Sequence, residues 1–159
     1  MSLEGKPAGG VSETIPEGTK IAIVASTWYT EVMNGLIAGA ERACAEAGVE
    51  CLTFRVPGSF ELSLGCQWAL QAGFDAAVAL GVVVRGGTPH FDYVCDAATE
   101  GLNRVGLDAG RPIGFGLLTC DDEQQALDRA GLLGAKEDKG YEAAQAVLQM
   151  LELYRQLRI

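Results

Sequence analysis

The chain has 159 residues and a formal net charge of −9, with 48% hydrophobic and 21% charged residues. This size and composition are typical of one globular domain that buries a core of its own. The acidic balance argues against nucleic acid as a partner, because binding phosphate backbones requires clustered Lys and Arg, and no apolar run reaches the roughly 20 residues of a membrane helix.

The first segment differs in composition from the rest of the chain. Residues 1–18 are rich in Gly, Pro, Ser and Glu, and we predict a flexible N-terminal arm that a neighbour would have to order. Residues 19–159 are predicted to form a single α/β domain. The first ten residues lack an apolar core, so a signal peptide is not indicated.

The first half of the domain alternates between strands and helices. Short apolar runs predict strands, and apolar residues at helical spacing that end at a glycine predict helices. In chain order these elements are a strand over Ile21–Ala25, a helix over Glu31–Ala47, a strand over Cys51–Val56 and a helix over Phe60–Ala72.

The second half continues this alternation and ends in two helices. Its elements are a strand over Val78–Val84, a helix from Thr88 to about Leu107, a strand over Ile113–Thr119, a helix from Asp121 to near Gly131 and a helix over Gly140–Leu157. Strands that alternate with helices predict a four-stranded parallel sheet with helices on both faces. So small a sheet leaves apolar surface for a partner, and we expect self-association.

Gly86-Gly87-Thr88 follows the most apolar strand, at the end of the sheet where ligands of open parallel sheets bind. Spacing alone does not separate two interpretations, a phosphate site made by backbone amides and a hydroxyl or a tight turn into the helix. Thr88 is predicted to be the N-cap and Pro89 the first helical residue. No Walker loop follows, and Gly114-Phe-Gly116 lacks the third glycine of a dinucleotide fingerprint, so neither cofactor class is indicated.

His90, the only histidine, falls in the first turn of the next helix. A lone histidine is more often an ordinary polar residue, but its place beside Gly-Gly-Thr-Pro favours proton transfer, because imidazole titrates near neutrality. Asp92, Asp96 and Glu100 lie on the following turns. They are interpreted as a solvated face that favours the helix dipole.

Several other side chains have both a structural and a functional interpretation. Trp28, just past the first strand, is placed to stack on a planar heterocycle or simply to pack. Glu61 would cap a helix or accept hydrogen bonds from ligand hydroxyls beside a donor from Ser59. Arg129 is predicted in the last turn of a helix, where its charge would favour the helix dipole. Lys139 would simply be solvated. Either cation would have a functional role only if an anion binds there.

The five cysteines are scattered without a C-x-x-C pair. This pattern indicates reduced and mostly buried thiols, rather than a disulfide framework or a zinc site. We therefore expect a cytoplasmic protein without a metal centre.

Four ordered motifs together resemble the lumazine synthase family. The longest, Gly81–Val94, is similar to the family segment G-x-(V/I)-(I/V)-x-G-x-T-x-H, and the others are Val56–Glu61, Pro112–Thr119 and Gln125–Gly131 followed by Lys139-Gly140. The resemblance runs from about Lys20 to the end of the chain. It implies a three-layer, flavodoxin-like fold and the condensation of 5-amino-6-(D-ribitylamino)uracil with 3,4-dihydroxy-2-butanone 4-phosphate. The products are 6,7-dimethyl-8-ribityllumazine and phosphate, and no metal or organic cofactor is needed.

The resemblance also implies roles for individual residues. For the aminouracil it implies contacts from residues just after the first two strands, from the end of the third strand and from one aromatic on the fourth: Trp28, Ser59, Phe60, Glu61, Val82, Val83, Val84 and Phe115. For the butanone phosphate it implies a turn and two cations: Gly87, Thr88, Arg129 and Lys139. His90 matches the histidine that transfers protons.

Assembly is implied by the resemblance as well, because the family places each active site between neighbouring subunits. The Leu132–Asp138 linker is longer than in members that build sixty-subunit shells, which favours a homopentamer. The alternatives are a non-catalytic flavodoxin-like module that binds a flavin-like or phosphorylated ligand, and a purely architectural oligomer. His90 beside the glycine turn, together with Arg129, favours the enzyme.

Overall fold

The structure, a computed structural model, describes residues 5–7 and 15–158. Four strands form one parallel sheet, as predicted. In chain order they are β1 (Lys20–Ser26), β2 (Glu50–Val56), β3 (Ala76–Val84) and β4 (Ile113–Cys120). Every predicted strand is therefore confirmed, with differences only at the strand ends.

The described residues also form five α-helices and one 3₁₀ turn. The helices are α1 (Thr30–Glu46), α2 (Leu62–Gln71), α3 (His90–Ala109), α4 (Glu123–Leu127) and α5 (Lys139–Gln156). The 3₁₀ turn, Ser59–Glu61, precedes α2 and replaces the first helical turn that the sequence predicts at Phe60. None of these helices is long and apolar enough to cross a membrane.

The strand order is β2-β1-β3-β4, with helices on both faces of the sheet. One face packs against α1 and α5, and the other against α2 and α3. β3 is buried from Ala76 to Val82 because it lies between β1 and β4 and beneath helices on both sides. This is the predicted three-layer, flavodoxin-like arrangement, and its chain order reverses between β1 and β3.

The contact between α1 and α5 fixes where α5 begins. Gly140 lies against the main chain of Leu36, so closely that an added Cβ would overlap the Leu36 carbonyl. Asp138 caps α5 by accepting from the Tyr141 N–H at 3.2 Å. The start of α5, where Lys139 lies, is therefore held against α1 by backbone contact.

Two predicted helix boundaries are wrong. α3 begins at His90 with Pro89 in the N-cap position, one residue later than predicted, and the Thr88 hydroxyl accepts from the His90 N–H at 3.4 Å. α4 ends at Leu127 and does not continue to Gly131. Asp128 follows as the C-cap, and its carbonyl accepts from the N–H groups of residues 136 and 137, so the chain leaves the helix before Gly131. Arg129 consequently lies beyond α4, not in its last turn.

Most of the predicted N-terminal arm lies outside the described residues, and the boundary at residue 18 stays a prediction. Within the described part, Ile15 is buried in the core on the α1 and α5 face. The Thr19 hydroxyl donates to the Pro16 carbonyl at 2.7 Å. Lys6 pairs with Glu142 of α5 at 3.0 Å.

Candidate functional site

The carboxyl end of the sheet is stepped. β1 pairs with β3 only as far as Ala25 and Leu80, whereas β3 pairs with β4 as far as Val84 and Cys120. Residues 81–84 of β3 therefore project past β1, and their main chain on the β1 side has no strand partner within the described residues. We call residues 81–84, which extend beyond the last β1 pairing, the strand step. The strand step lies where the strand order of the sheet reverses, and open parallel sheets bind ligands at that position.

Trp28 and Glu61 meet beside the strand step. A Cβ added at Gly58 would lie 3.3 Å from Glu61 Oε2 and 3.6 Å from Trp28 Nε1, so both side chains converge on that glycine. The indole is 66% exposed. An open aromatic ring beside a carboxylate suits a planar, polar heterocycle, which the ring can stack on while the carboxylate accepts hydrogen bonds.

The backbone next to Trp28 is strained. Tyr29, the N-cap of α1, has a φ of 60° and a ψ of 68°, a left-handed conformation that is uncommon for a residue other than glycine. Its carbonyl accepts from the Met33 N–H at 2.9 Å, so the helix holds it in place. Strain of this kind concentrates at functional sites, and here it sets the direction in which Trp28 leaves β1.

The turn after β2 is anchored to the projecting part of β3. Ser59 is buried, and its hydroxyl donates to the Val82 carbonyl at 3.4 Å. This bond uses the hydroxyl proton, and the Ser59 carbonyl accepts from the Leu62 N–H, so the hydroxyl lone pairs are what Ser59 can offer to a ligand. Phe60, by contrast, is an exposed aromatic residue next to Glu61.

The turn between β3 and α3 is open to solvent. Gly86, Gly87, Thr88 and His90 are all exposed, and a Cβ added at either glycine would meet nothing within 4 Å. Neither glycine has a positive φ, so the backbone conformation alone does not require them. They leave room for a group from outside the chain to approach the amides, as a phosphate site needs.

Arg85 ties this turn to the end of β4. Its Nε lies 3.0 Å from Asp121 Oδ1, its Nη1 lies 3.7 Å from Asp92 Oδ1, and its guanidinium lies 4.4 Å from the centre of the Phe91 ring. The hydrogen bond with Asp121 raises the pKa of Arg85. Asp92, interpreted from sequence as a solvated dipole partner, thus has a cation partner as well.

Phe115 lies apart from the strand step. It is opposite Ala79, four positions before the Thr119 and Val83 pair, or about 13 Å lower along the strand. It lines a groove of about 1160 Å³ that runs along β4 between α3 and α5. This β4 groove also carries exposed apolar side chains from both helices: Leu107, Met150, Leu153 and Leu157.

Arg129 and Lys139 are brought together by a short antiparallel contact. The Lys139 N–H donates to the Arg129 carbonyl at 2.9 Å, and Ala130 bridges to Asp138. Between the two cations lies the Glu137 carboxylate, 3.5 Å from Arg129 Nε and 3.6 Å from Lys139 Nζ. The Lys139 side chain is only 17% exposed, so the solvated role considered from sequence is wrong.

The predicted site residues fall into two groups within one chain. The first lies around the strand step: Trp28, Ser59, Phe60, Glu61, Val82, Val83, Val84, Gly87, Thr88 and His90. The second comprises Phe115 in the β4 groove and the Arg129 and Lys139 pair. Sequence reasoning missed Glu137, although the acidic residues flanking Lys139 were a usable signal.

Comparison with known proteins accounts for this arrangement of motifs. A sequence model of the 6,7-dimethyl-8-ribityllumazine synthase family matches residues 18–155. The chain belongs to this family. The resemblance drawn from the motifs is thereby confirmed, and the chain is an enzyme of the transferase class.

Individual lumazine synthases match nearly the whole chain. The 6,7-dimethyl-8-ribityllumazine synthase of Leifsonia xyli is 56% identical over 157 residues, which cover 98% of this chain and 99% of that protein. The enzyme of the same name from Paenarthrobacter aurescens is 57% identical over 152 residues, which cover 93% of this chain and 94% of that protein. The 6,7-dimethyl-8-ribityllumazine synthase of Cutibacterium acnes is 57% identical over 148 residues, which cover 92% of this chain and 89% of that protein.

Proposed function

We propose that this lumazine synthase joins 5-amino-6-(D-ribitylamino)uracil to 3,4-dihydroxy-2-butanone 4-phosphate at the strand step. The step is the observation that carries the assignment of the site. It supports this location because main chain of β3 without a strand partner on the β1 side, the exposed Trp28 ring, the Glu61 carboxylate and the exposed His90 all belong to the carboxyl end of the sheet. The products are 6,7-dimethyl-8-ribityllumazine and inorganic phosphate.

The aminouracil is assigned to the β1 side of the step. The Trp28 ring stacks on the pyrimidine, and the projecting main chain of Val82–Val84 pairs with the polar edge of that ring. The Ser59–Glu61 turn faces the ribityl chain, and the Glu61 carboxylate accepts from its hydroxyls. Phe115 closes the pocket over the pyrimidine.

The butanone phosphate is assigned to the turn after β3. The open backbone at Gly87 and the Thr88 hydroxyl hold the phosphate, and Arg129 and Lys139 supply positive charge in a chain that is otherwise strongly acidic. These local cations are what allow an anionic substrate to bind.

The chemistry needs positioning and proton transfer. The amine of the uracil attacks the ketone, water leaves as the imine forms, phosphate is eliminated, and ring closure releases a second water. None of these steps needs a covalent nucleophile on the protein, so binding both substrates side by side supplies much of the rate. His90, at the start of α3 beside the phosphate turn, moves the protons.

We further propose that each active site is shared between neighbours in a homopentamer. Within one chain Phe115 lies opposite Ala79, about 7 Å below the start of the step and about 13 Å below the level of Val83, and it faces the β4 groove, which supports a role in the site of an adjacent subunit. The exposed apolar residues of the β4 groove support a subunit contact at that place. The long Leu132–Asp138 linker supports a pentamer over a sixty-subunit shell.

The five cysteines, all within the described residues, are free thiols, and three of them are buried. This supports a reducing compartment, and we assign the protein to the cytoplasm.

The assigned activity is tested by mixing the purified protein with both substrates. We expect the absorbance of the lumazine to appear together with one equivalent of inorganic phosphate, faster than in the same mixture without protein. Binding of either substrate without acceleration would instead support the non-catalytic module.

The shared site is tested by complementation. Neither His90→Ala nor Arg129→Ala subunits alone should reach wild-type activity, but after subunit exchange some interfaces carry both wild-type residues and regain it. Exchange is verified separately by mass spectrometry of differently labelled subunits. Verified exchange without recovered activity would place His90 and Arg129 in the same subunit's site.

A further inference from the structure

Glu137 lies between the two cations that the proposed function assigns to phosphate. Its carboxylate contacts Arg129 Nε through Oε2 and Lys139 Nζ through Oε1. Only 7% of the Glu137 side chain is exposed, so water does little to screen it. Glu142 pairs with Lys139 from the other side at 3.6 Å and also with Lys6 at 3.0 Å, so the two carboxylates offset much of the positive charge around them.

The backbone keeps Glu137 in this position. The Glu137 N–H donates to the Asp128 carbonyl at 3.0 Å, and the Glu137 carbonyl accepts from the Gly131 N–H at 2.9 Å. Both flanks of Glu137 are thus bonded to the segment that carries Arg129. These bonds fix the main chain from which the carboxylate projects toward the two cations.

The contacts that Glu137 makes are loose. Its two ion pairs, at 3.5 and 3.6 Å, are longer than a charge-assisted hydrogen bond. Oε2 is buried and makes no hydrogen bond with any residue that the structure describes. Glu137 therefore offsets the charge of Arg129 and Lys139 without engaging their donors in well-directed bonds. Arg129 Nη1 donates to the Gln125 carbonyl at 2.8 Å, and the donors that face Glu137 stay available to another acceptor.

We propose that Glu137 is a built-in competitor of the phosphate group, a positioning residue that limits how tightly Arg129 and Lys139 hold it. The inference rests on the proposed function, in which these cations bind the phosphorylated substrate. Inorganic phosphate is also a product, so a site with two uncompensated cations would retain it. The fixed carboxylate weakens the binding of substrate and product phosphate and speeds phosphate release.

A purely structural role for Glu137 predicts the opposite sign. If the carboxylate only oriented Arg129 and Lys139, neutralising it would disorder both side chains and weaken phosphate binding. If it competes, neutralising it strengthens phosphate binding. A unit charge about 6 Å away changes affinity roughly tenfold at an effective dielectric constant of about 40, and by more in a drier site.

The test uses Glu137→Gln in the full assembled protein, with inorganic phosphate as the probe. Its affinity is measured by calorimetry and, separately, as competitive inhibition against the butanone phosphate. Asp128→Asn is the matched control, because it removes one negative charge from the same segment, where Asp128 pairs with Lys136 at 3.8 Å and not with the phosphate cations. Glu137→Met, which keeps the length of the side chain, is the second variant in case the amide does not fold.

We expect phosphate to bind about tenfold more tightly to Glu137→Gln, with stronger product inhibition, and to bind Asp128→Asn as it binds wild type. Unchanged or weaker phosphate binding in the folded Glu137 variants, or equal tightening in Asp128→Asn, would overturn the inference. Arg129→Ala separates this failure from that of the proposed site. If Arg129→Ala leaves phosphate binding intact, the assignment of the cations is itself wrong.

Discussion

The strand step and the β4 groove differ in what lines them. At the step, the lining residues are exposed glycines, a hydroxyl, an imidazole, a carboxylate and main chain without a strand partner on the β1 side. Along β4, long apolar side chains from α3 and α5 line a groove of about 1160 Å³. The first surface is suited to orienting a small polar molecule, whereas the second is suited to a large apolar contact.

The two surfaces use different kinds of residue. Residues that form hydrogen bonds are placed at the carboxyl ends of strands, and residues that contribute contact area are placed on helices. Substitutions in the two regions should therefore fail differently, one by losing chemistry and the other by losing assembly. The following experiments separate these two kinds of failure, starting with the largest expected effect.

Leu107→Glu should abolish assembly and reduce activity at least about a hundredfold, because a charge buried in an apolar contact is very costly. Leu107 is 74% exposed in the single chain, so the subunit itself should still fold. Light scattering and circular dichroism measure the two properties. Leu133→Glu is the matched control, since Leu133 is fully exposed and does not line the groove. A pentamer that survives Leu107→Glu would remove the groove from the interface.

His90→Ala should lower kcat about a hundredfold and leave assembly and substrate binding nearly intact, since proton transfer contributes factors of this order. The condensation is chemically easy, which places the effect at the lower end of the range. The measurement is kcat over the pH range in which imidazoles titrate. If the wild type and the variant have the same kcat and the same pH dependence, His90 takes no part in the reaction.

Arg129→Ala should raise the KM for the butanone phosphate about tenfold, through loss of a charge-assisted bond, and change the KM for the aminouracil little. Steady-state kinetics with each substrate varied in turn measures both constants. Equal weakening of both substrates would mean that Arg129 acts through the structure of the 128–139 segment.

The smallest effect on activity is expected from the buried cysteines in the core behind both surfaces. Burial raises the pKa of Cys66 to about 12, and the same cause, with Cys51 nearby, raises that of Cys44 to about 12. Unfolded thiols ionise near pH 8.5, so between there and about pH 12 the native state binds more protons than the unfolded state.

The free energy of unfolding should therefore fall as pH rises above about 9, by at most about 1.4 kcal/mol per pH unit for each thiol. Denaturant unfolding at several pH values measures this slope. Cys66→Ala should reduce the slope while leaving kcat at neutral pH unchanged. An identical slope in the variant would assign the alkaline loss to other groups.

Much of the fold could be predicted from sequence because its signals are local. The apolar run Val78–Val84 predicts a central strand, and glycines at 48 and 73 end helices where the structure has positive φ. α4 was predicted too long because the apolar spacing of Leu127 and Ala130 continues past the point where Asp128 starts to bond with residues 136 and 137. That pairing is tertiary, and helical periodicity cannot reveal it.

The candidate site was predictable residue by residue but not as a geometry. The motifs marked Trp28, Glu61 and His90, while the strand step depends on how far β1 and β3 pair, which no single segment specifies. Glu137 was missed for a similar reason. Its importance comes from its distance to Arg129, and the sequence placed Arg129 on a helix that ends before reaching it.

The height of the strand step sets a length scale for the molecules it can serve. β3 continues four residues beyond its last pairing with β1, a rise of about 13 Å along the strand direction. A pyrimidine ring and a four-carbon phosphate laid end to end have a comparable length. In the proposed site, the offset between the two strand ends would therefore match the combined length of two reactants laid in line.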